Sequence, residues 1–165
     1  MRGPTDPVFA GIGSTTKYGD KLLTIAKDLK AHGVPKLGLY GLCWGSKVAG
    51  TWSVRTDTVP ACGPSTPFDA YVQIHPSFVA PEDANNVSIP FASFTSKDES
   101  GEVVDAFLKN AAANPANQGK FVHHHYPENH HGFAAARANL NDPSNVASFQ
   151  DVYQRTASFF LQHLK

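Results

Sequence analysis

The sequence predicts an α/β fold, a three-layer α/β/α sandwich built on a mainly parallel sheet. Short apolar runs such as Leu37-Gly38-Leu39-Tyr40 are typical of buried parallel strands. Helical stretches alternate with these runs, as expected when helices cover both faces of a parallel sheet. The 165 residues suffice for one core, and we therefore expect residues 1–165 to form a single domain.

Each predicted element has a local signal in the sequence. Apolar residues, including Ile25 and Leu29, recur at helical spacing over residues 18–32. Gly33 follows at the position where a helix C-cap glycine is common. The same reasoning predicts strands at residues 36–40, 70–74, 89–95 and 120–126, helices at 47–55, 102–113 and 145–164, and a loop at 56–67.

Composition and charge exclude several classes of function. Hydrophobic residues make up 41% of the chain, and 14 basic side chains balance 14 acidic ones. This balance gives no electrostatic reason to expect nucleic acid or an anionic membrane as a partner. No apolar run approaches the ~20 residues of a membrane span, and the N-terminal residues lack the order of a secretory signal. Two cysteines do not suggest a disulfide framework, so we expect a cytoplasmic protein.

The most informative motif is Gly41-Leu42-Cys43-Trp44-Gly45. A strand followed by G-x-nucleophile-x-G and then a helix is the nucleophile elbow of α/β-hydrolases. The glycines are expected to relieve crowding in a tight turn, and the helix N-terminus favours the thiolate of Cys43. The backbone N–H of Trp44 would be one oxyanion-hole donor. The alternative is a buried, unreactive cysteine at a glycine-rich turn.

Candidates for an acid and a base follow the third and fourth predicted strands. In α/β-hydrolases the triad runs in the order nucleophile, acid, histidine, and Asp98 and His131 fit that order after Cys43. Open α/β sheets carry their chemistry at such strand ends. Glu99 is a direct rival to Asp98, and His130 is a rival to His131. We expect Asp98 to orient the imidazole and His131 to manage the proton.

Histidines are concentrated in one segment, since five of the eight lie between residues 123 and 131. On a strand, His123 and His125 share one face, and such imidazoles can bind zinc or copper. No carboxylate or thiol stands at a recognised metal-motif spacing from them. We therefore expect packed or solvated histidines and no metal.

His75 and Cys62 are two further residues whose side chains could carry chemistry. His75 ends the second predicted strand and is a candidate for the substrate side, with a structural role as the alternative. Cys62 has no base near it in sequence, and we expect it to be unreactive.

The chain resembles the dienelactone hydrolase family from about residue 16 to the end. The matching segments are LGLYGLCWGSKVAG around Cys43, IPFASFTSKDES around Asp98 and HHGFAAARANL around His131. This resemblance implies a partial α/β-hydrolase fold and hydrolysis of a lactone or small ester by a thiolate, without metal or organic cofactor. It also implies that Arg137, shortly after the histidine, helps to bind a substrate carboxylate.

Members of this family usually carry several strands before the segment that matches here. The missing part normally supplies a second oxyanion donor and a glutamate that can hold the resting cysteine. Its absence would leave the first strand as an open sheet edge. We expect either a shortened form or a second chain, including another copy, on that edge. The alternative function is a catalytically weak remnant that binds a small carboxylic or aromatic ligand. A redox-responsive or metal-binding protein is a third hypothesis.

Overall fold

The computed structural model describes residues 15–50, 65–99 and 101–165. Four strands form one sheet in chain order: β1 (Gly38–Leu42), β2 (Ala70–Ile74), β3 (Phe91–Ser96) and β4 (Phe121–Tyr126). Four α-helices accompany them: α1 (Thr15–Ala31), α2 (Trp44–Gly50), α3 (Gly101–Ala113) and α4 (Pro143–His163). Short 3₁₀ helices span Pro81–Asn86 and Pro115–Asn117. All three strand pairings are parallel, which confirms the predicted α/β fold.

Alternating side chains of the strands fill two cores on opposite faces of the sheet. On one face, Val72 and Ile74 of β2 pack with Val152 and Phe159 of α4. On the other face, Tyr71 packs with apolar side chains of α2, α3 and β3. All five residues of β2 are buried, as expected for a strand covered on both sides.

The strand register brings the carboxyl ends of the strands to one edge of the sheet. Leu42 pairs with Ile74, Ile74 with Phe94, and Phe94 with His124. The segments that follow these four residues therefore leave the sheet side by side. Their proximity is what allows distant parts of the sequence to form a site.

Element boundaries differ from prediction mainly around the first strand. The strand predicted at residues 36–40 lies at Gly38–Leu42, because its pairing with β2 continues to the elbow. Helix α2 begins at Trp44 rather than at residue 47, directly after Cys43. Residues 51–64 lie outside the described part of the chain, and with them the rest of the predicted helix, most of the predicted loop and Cys62.

Helix α1 covers the end of the sheet near β1. Ala26 is buried, but Ile25 and Leu29 of the predicted apolar stripe are 56% and 39% exposed. Gly33 has a left-handed backbone with φ 85°, and the next N–H, of Val34, donates to the carbonyl of Leu29 at 3.1 Å. This arrangement confirms the predicted C-cap.

β1 pairs with β2 and forms one edge of the sheet of described residues, where Tyr40 is 51% exposed. A second chain covering this edge stays a prediction. None of the described helices combines the length and apolarity that crossing a membrane requires.

Candidate active site

Cys43 occupies a strained turn between β1 and α2. Its φ of 55° is left-handed, a conformation that costs a non-glycine residue about 1–3 kcal/mol. Three backbone hydrogen bonds hold it there: its N–H donates to the carbonyl of Ile74, and its carbonyl accepts from the N–H groups of Ser46 and Ser77, each at 3.1 Å. The turn presents the thiol at the carboxyl end of the sheet, as predicted for a nucleophile elbow.

The two glycines of the elbow motif have different roles. A Cβ on Gly41 would lie 2.4 Å from the carbonyl oxygen of Gly45, so close backbone contact requires glycine there. A Cβ on Gly45 would meet nothing within 4 Å. The expectation that both glycines relieve crowding is therefore correct for Gly41 and wrong for Gly45.

His131 lies in the turn region after β4 and is 6% exposed. Its Nδ1 is 2.9 Å from Oε1 of Glu99. Glu99 is itself fixed by hydrogen bonds from the hydroxyl of Ser96, at 3.0 Å, and from the backbone N–H of Ser96. The imidazole is thus held by a buried carboxylate that is in turn positioned by the end of β3.

The structure places Asp98 differently from the prediction. Its Oδ2 accepts a hydrogen bond at 2.7 Å from the backbone N–H of His131, and the contact is with the main chain instead of the ring. The expectation that Asp98 orients the imidazole is corrected, since Glu99, its rival in the sequence, holds Nδ1. The physical reason is the tight turn after Ser96, which directs the longer Glu99 side chain back toward the strand end.

Ser77 joins the thiol to the imidazole. Its Oγ lies 3.2 Å from Sγ of Cys43 and 3.3 Å from Nε2 of His131. No motif in the sequence marks this residue, because serine after a strand has many ordinary roles. The one feature that could have indicated Ser77 is its position just beyond β2, at the same edge of the sheet as the other candidate residues.

The electrostatics favour a thiolate beside an imidazolium. Hydrogen bonding with His131 is the largest influence lowering the pKa of Cys43 to about 7, against burial, with further help from Ser77 and the backbone N–H of Trp44. Hydrogen bonding with Cys43, followed by that with Glu99, raises the pKa of His131 to about 9. Between pH 7 and 9 the charged pair is therefore the favoured form.

Trp44 follows the nucleophile directly and begins α2. Hydrogen bonding from its backbone N–H is among the influences that lower the pKa of Cys43, which places this N–H near the sulfur. A carbonyl bonded to that sulfur would have its oxygen within reach of the same donor. The role of Trp44 as an oxyanion donor stays a prediction.

His75 lies behind the site instead of lining it. It is fully buried, and its ring packs edge-on against His131 and Phe133 at centroid distances of 5.0 and 5.8 Å. Neither ring nitrogen has a hydrogen-bond partner among the described residues. Burial is the main cause that lowers the pKa of His75 to about 4, so the ring is neutral near pH 7. The prediction of a substrate-side role is corrected to a packing role.

Arg137 is exposed and is not among the residues that border the cleft beside His131. Its side chain packs over Gly132, where an added Cβ would meet the Arg137 methylenes at 3.1 Å. Gly132 has φ 89°, so its lack of a side chain serves both the turn and this contact. The structure therefore does not place Arg137 where the resemblance implied.

A cleft of about 230 Å³ opens beside the imidazole. Apolar side chains of Phe78, Val79, Val103 and Val104 form much of its wall. Glu99 and Asp98 also border it, and Asp98 is exposed. The arrangement suits a small apolar group placed beside Ser77 and the imidazole of His131.

The histidines of β4 lie away from the thiol. His123 Nε2 and His125 Nδ1 are both 3.0 Å from Oγ1 of Thr95, which confirms that they share a face. His124 points to the other face and packs against Tyr126. Within the described ranges, no group of three or more histidine, cysteine, aspartate or glutamate side chains is arranged to hold a metal ion.

A parallel sheet with an elbow after one strand, and with acid and histidine loops after later strands, defines the class of α/β-hydrolases. The sequence profile of the dienelactone hydrolase family matches residues 13–164. The chain belongs to that family, and the family is one of hydrolases.

Known proteins similar to this chain include two from Schizosaccharomyces pombe. The uncharacterized AIM2 family protein C977.15 is 34% identical over 152 residues, which are 89% of this chain and 56% of that protein. The uncharacterized AIM2 family protein C30D10.14 is 32% identical over 149 residues, covering 89% and 55%. The chain thus spans about half the length of these curated relatives.

The fold is also similar to a crystal structure from Klebsiella pneumoniae, of a protein provisionally named dienelactone hydrolase. The TM-score is 0.70 with 19% sequence identity, over 99% of this chain and 68% of that one. This likeness shows the α/β-hydrolase type of fold.

Proposed function

We propose that this protein hydrolyses a lactone or small ester through a thioester on Cys43. His131 carries the proton, and Glu99 orients its imidazole. The main support is the series of contacts that runs from Sγ of Cys43 through Ser77 to Nε2 of His131, and from Nδ1 to Glu99. A nucleophile, a base and an orienting carboxylate in hydrogen-bonded order are what acyl transfer requires.

The reaction proceeds in two steps. The thiolate of Cys43 attacks the carbonyl carbon, and the carbonyl oxygen gains charge within reach of the Trp44 N–H. The bond to the leaving oxygen breaks as His131 donates its Nε2 proton to that oxygen, which yields a thioester. Water then gives a proton to His131 and attacks the thioester. The acid product leaves and the Cys43 sulfur is free again.

The cleft favours a substrate that has a small, uncharged group next to its reacting carbonyl. Its apolar wall includes Phe78 and Val104, which favour hydrocarbon over water. Asp98 at its border would repel an anionic substituent. A nucleophilic thiolate also works best where thiols stay reduced, and we therefore propose a cytoplasmic site of action.

The first test replaces Cys43 by alanine and measures hydrolysis of a short-chain p-nitrophenyl ester and of dihydrocoumarin, a simple lactone. We expect the variant to fall to the rate of buffer alone, because no thioester can form. Mass spectrometry of the quenched wild-type reaction should show the acyl group on the peptide that contains Cys43.

Cys62→Ser is the matched control, since it removes the other thiol and should keep full activity. Full hydrolysis by Cys43→Ala would contradict the proposal. The alternative is a catalytically weak remnant that binds a small carboxylic or aromatic ligand. It predicts that neither wild type nor Cys43→Ala turns over the substrates, and that ligand binding survives in Cys43→Ala.

A further inference from the structure

Ser77 contacts both reacting partners of the site. Its hydroxyl lies 3.2 Å from the sulfur of Cys43 and 3.3 Å from Nε2 of His131, so it can donate to one and accept from the other. A serine hydroxyl has this capacity because it carries one donor hydrogen and two lone pairs. The hydroxyl therefore lies on a hydrogen-bonded path between the thiol and the base.

The backbone around Ser77 is built to hold the hydroxyl in this place. Its N–H donates to the carbonyl of Cys43 at 3.1 Å, which ties it to the nucleophile itself. His75 and Phe78, on either side, have left-handed backbones with φ of 36° and 57°. Such conformations are strained for non-glycine residues, and strain of this kind clusters at functional sites. The strained backbones of His75 and Phe78 and the hydrogen bond to the Cys43 carbonyl together fix the position of the Ser77 hydroxyl.

We propose that Ser77 is a catalytic residue whose hydroxyl relays the proton between Cys43 and His131. In this step the S–H bond of Cys43 breaks and its proton bonds to Oγ of Ser77. The proton that Ser77 already carried passes to Nε2 of His131. The products are a thiolate, an unchanged serine hydroxyl and an imidazolium, so atoms and charges balance. This inference rests on the proposed function of Cys43.

After the transfer the hydroxyl stabilises the ion pair. Ser77 donates to the thiolate and accepts the N–H of the imidazolium. Other ionisable groups near this pair are Glu99 beyond the imidazole, Asp98 at the His131 backbone and the neutral His75 ring behind it. Hydrogen bonding of Cys43 with His131 and with the Trp44 N–H would remain in a Ser77 variant, so loss of the Ser77 hydroxyl removes one of three groups that lower the pKa of the thiol.

The test is the rate of Cys43 alkylation by iodoacetamide against pH, followed on the peptide that contains Cys43. Wild type should show an inflection near 7. In Ser77→Ala the inflection should rise part of the way toward the ~8.5 of a free cysteine, since one of the groups that stabilise the thiolate is lost. Ser77→Thr, which keeps a hydroxyl, should restore the low inflection.

Thr24→Ala is the control. It removes a hydroxyl of α1, one that donates to the carbonyl of Asp20 at 2.8 Å, and it should leave the inflection in place. Ser77→Gly removes the same hydroxyl as Ser77→Ala and supplies the comparison if the alanine variant fails to fold. Ester hydrolysis should fall with the shift in both Ser77 variants and recover in Ser77→Thr.

The outcomes separate the two proposals. If both the low inflection and the rate of ester hydrolysis persist in Ser77→Ala or Ser77→Gly, the relay is overturned, because the thiol and imidazole then need no hydroxyl between them. The proposed hydrolase function survives that result. A wild-type inflection near ~8.5 overturns both, since no thiolate is then stabilised at this site.

Discussion

Asp98 and Glu99 are neighbours in the chain that hold different parts of His131. Glu99 contacts Nδ1 of the ring, whereas Asp98 accepts the backbone N–H. A carboxylate on Nδ1 fixes the tautomer and stabilises the imidazolium. A carboxylate on the backbone positions the loop and leaves the ring's proton equilibrium largely to other groups. Adjacent acids thus have separate roles at one histidine.

At the residue scale, we expect Glu99→Gln to reduce ester hydrolysis by about 10²–10⁴-fold, the range for loss of positioned acid–base catalysis. The pKa of His131 should also fall, because Glu99 is one of the groups that raise it. NMR titration of the His131 ring would measure this shift alongside the activity.

Asp98→Asn is the matched control for this substitution. Its amide oxygen can still accept the His131 N–H, so activity should change by less than about tenfold. If Asp98→Asn proves the more damaging of the two, the assignment of Glu99 is wrong.

At the scale of elements, the elbow depends on how closely β1 approaches α2. Gly41 lies in β1 beside the first turn of α2, and a Cβ there would collide with the carbonyl oxygen of Gly45. The side chain of Ser46 reinforces this contact by donating to the carbonyl of Gly41 at 2.7 Å. The strand and the helix are therefore fixed to each other next to the thiol.

We expect Gly41→Ala to lower the free energy of unfolding by about 1–3 kcal/mol, the usual cost of overpacking, and to slow alkylation of Cys43. Gly45→Ala should change the free energy of unfolding by less than about 1 kcal/mol, because its added Cβ meets open space and alanine is a better helix former. Urea denaturation of both variants measures the difference. Equal midpoints would show that the close approach of Gly41 is not needed.

For the whole molecule, the buried His75 links folding to pH. Its pKa is about 4 in the folded chain, against 6.5 when exposed. Between these values the unfolded chain binds more protons than the folded one, so stability falls as pH drops from 6.5 to 4. The loss amounts to roughly 3 kcal/mol at the low end, since each unit of pKa shift corresponds to ~1.4 kcal/mol.

His75→Phe should remove this part of the acid sensitivity, because phenylalanine keeps the ring contacts and does not titrate. The measurement is the free energy of unfolding from urea titrations of both proteins at pH 7 and pH 4. The thiol and imidazole of the active site, with pKa values of about 7 and 9, are fully protonated by pH 4 in both proteins. An identical drop in the two proteins would mean that His75 is accessible to protons when folded.

The order of strands and helices, the elbow at Cys43 and the histidine loop at His131 are all predictable from the amino-acid sequence. Those features depend on local patterns: apolar periodicity, glycine at a turn, and residue types just beyond a strand. Ile25 belongs to the predicted apolar stripe but is exposed, and β1 begins later than predicted. Local patterns therefore predict that an element exists more accurately than they predict its boundaries and its buried face.

Which side chains contact one another at the carboxyl end of the sheet depends on the tertiary structure. The choice of Glu99 over Asp98 depends on a single turn after β3, and the position of Ser77 depends on left-handed residues after β2. The ring of His75 is buried because it packs against Phe133, and the side chain of Arg137 lies outside the cleft because it packs over Gly132. Contacts between residues more than 30 positions apart are set by strand register and turn conformation, which no local pattern encodes.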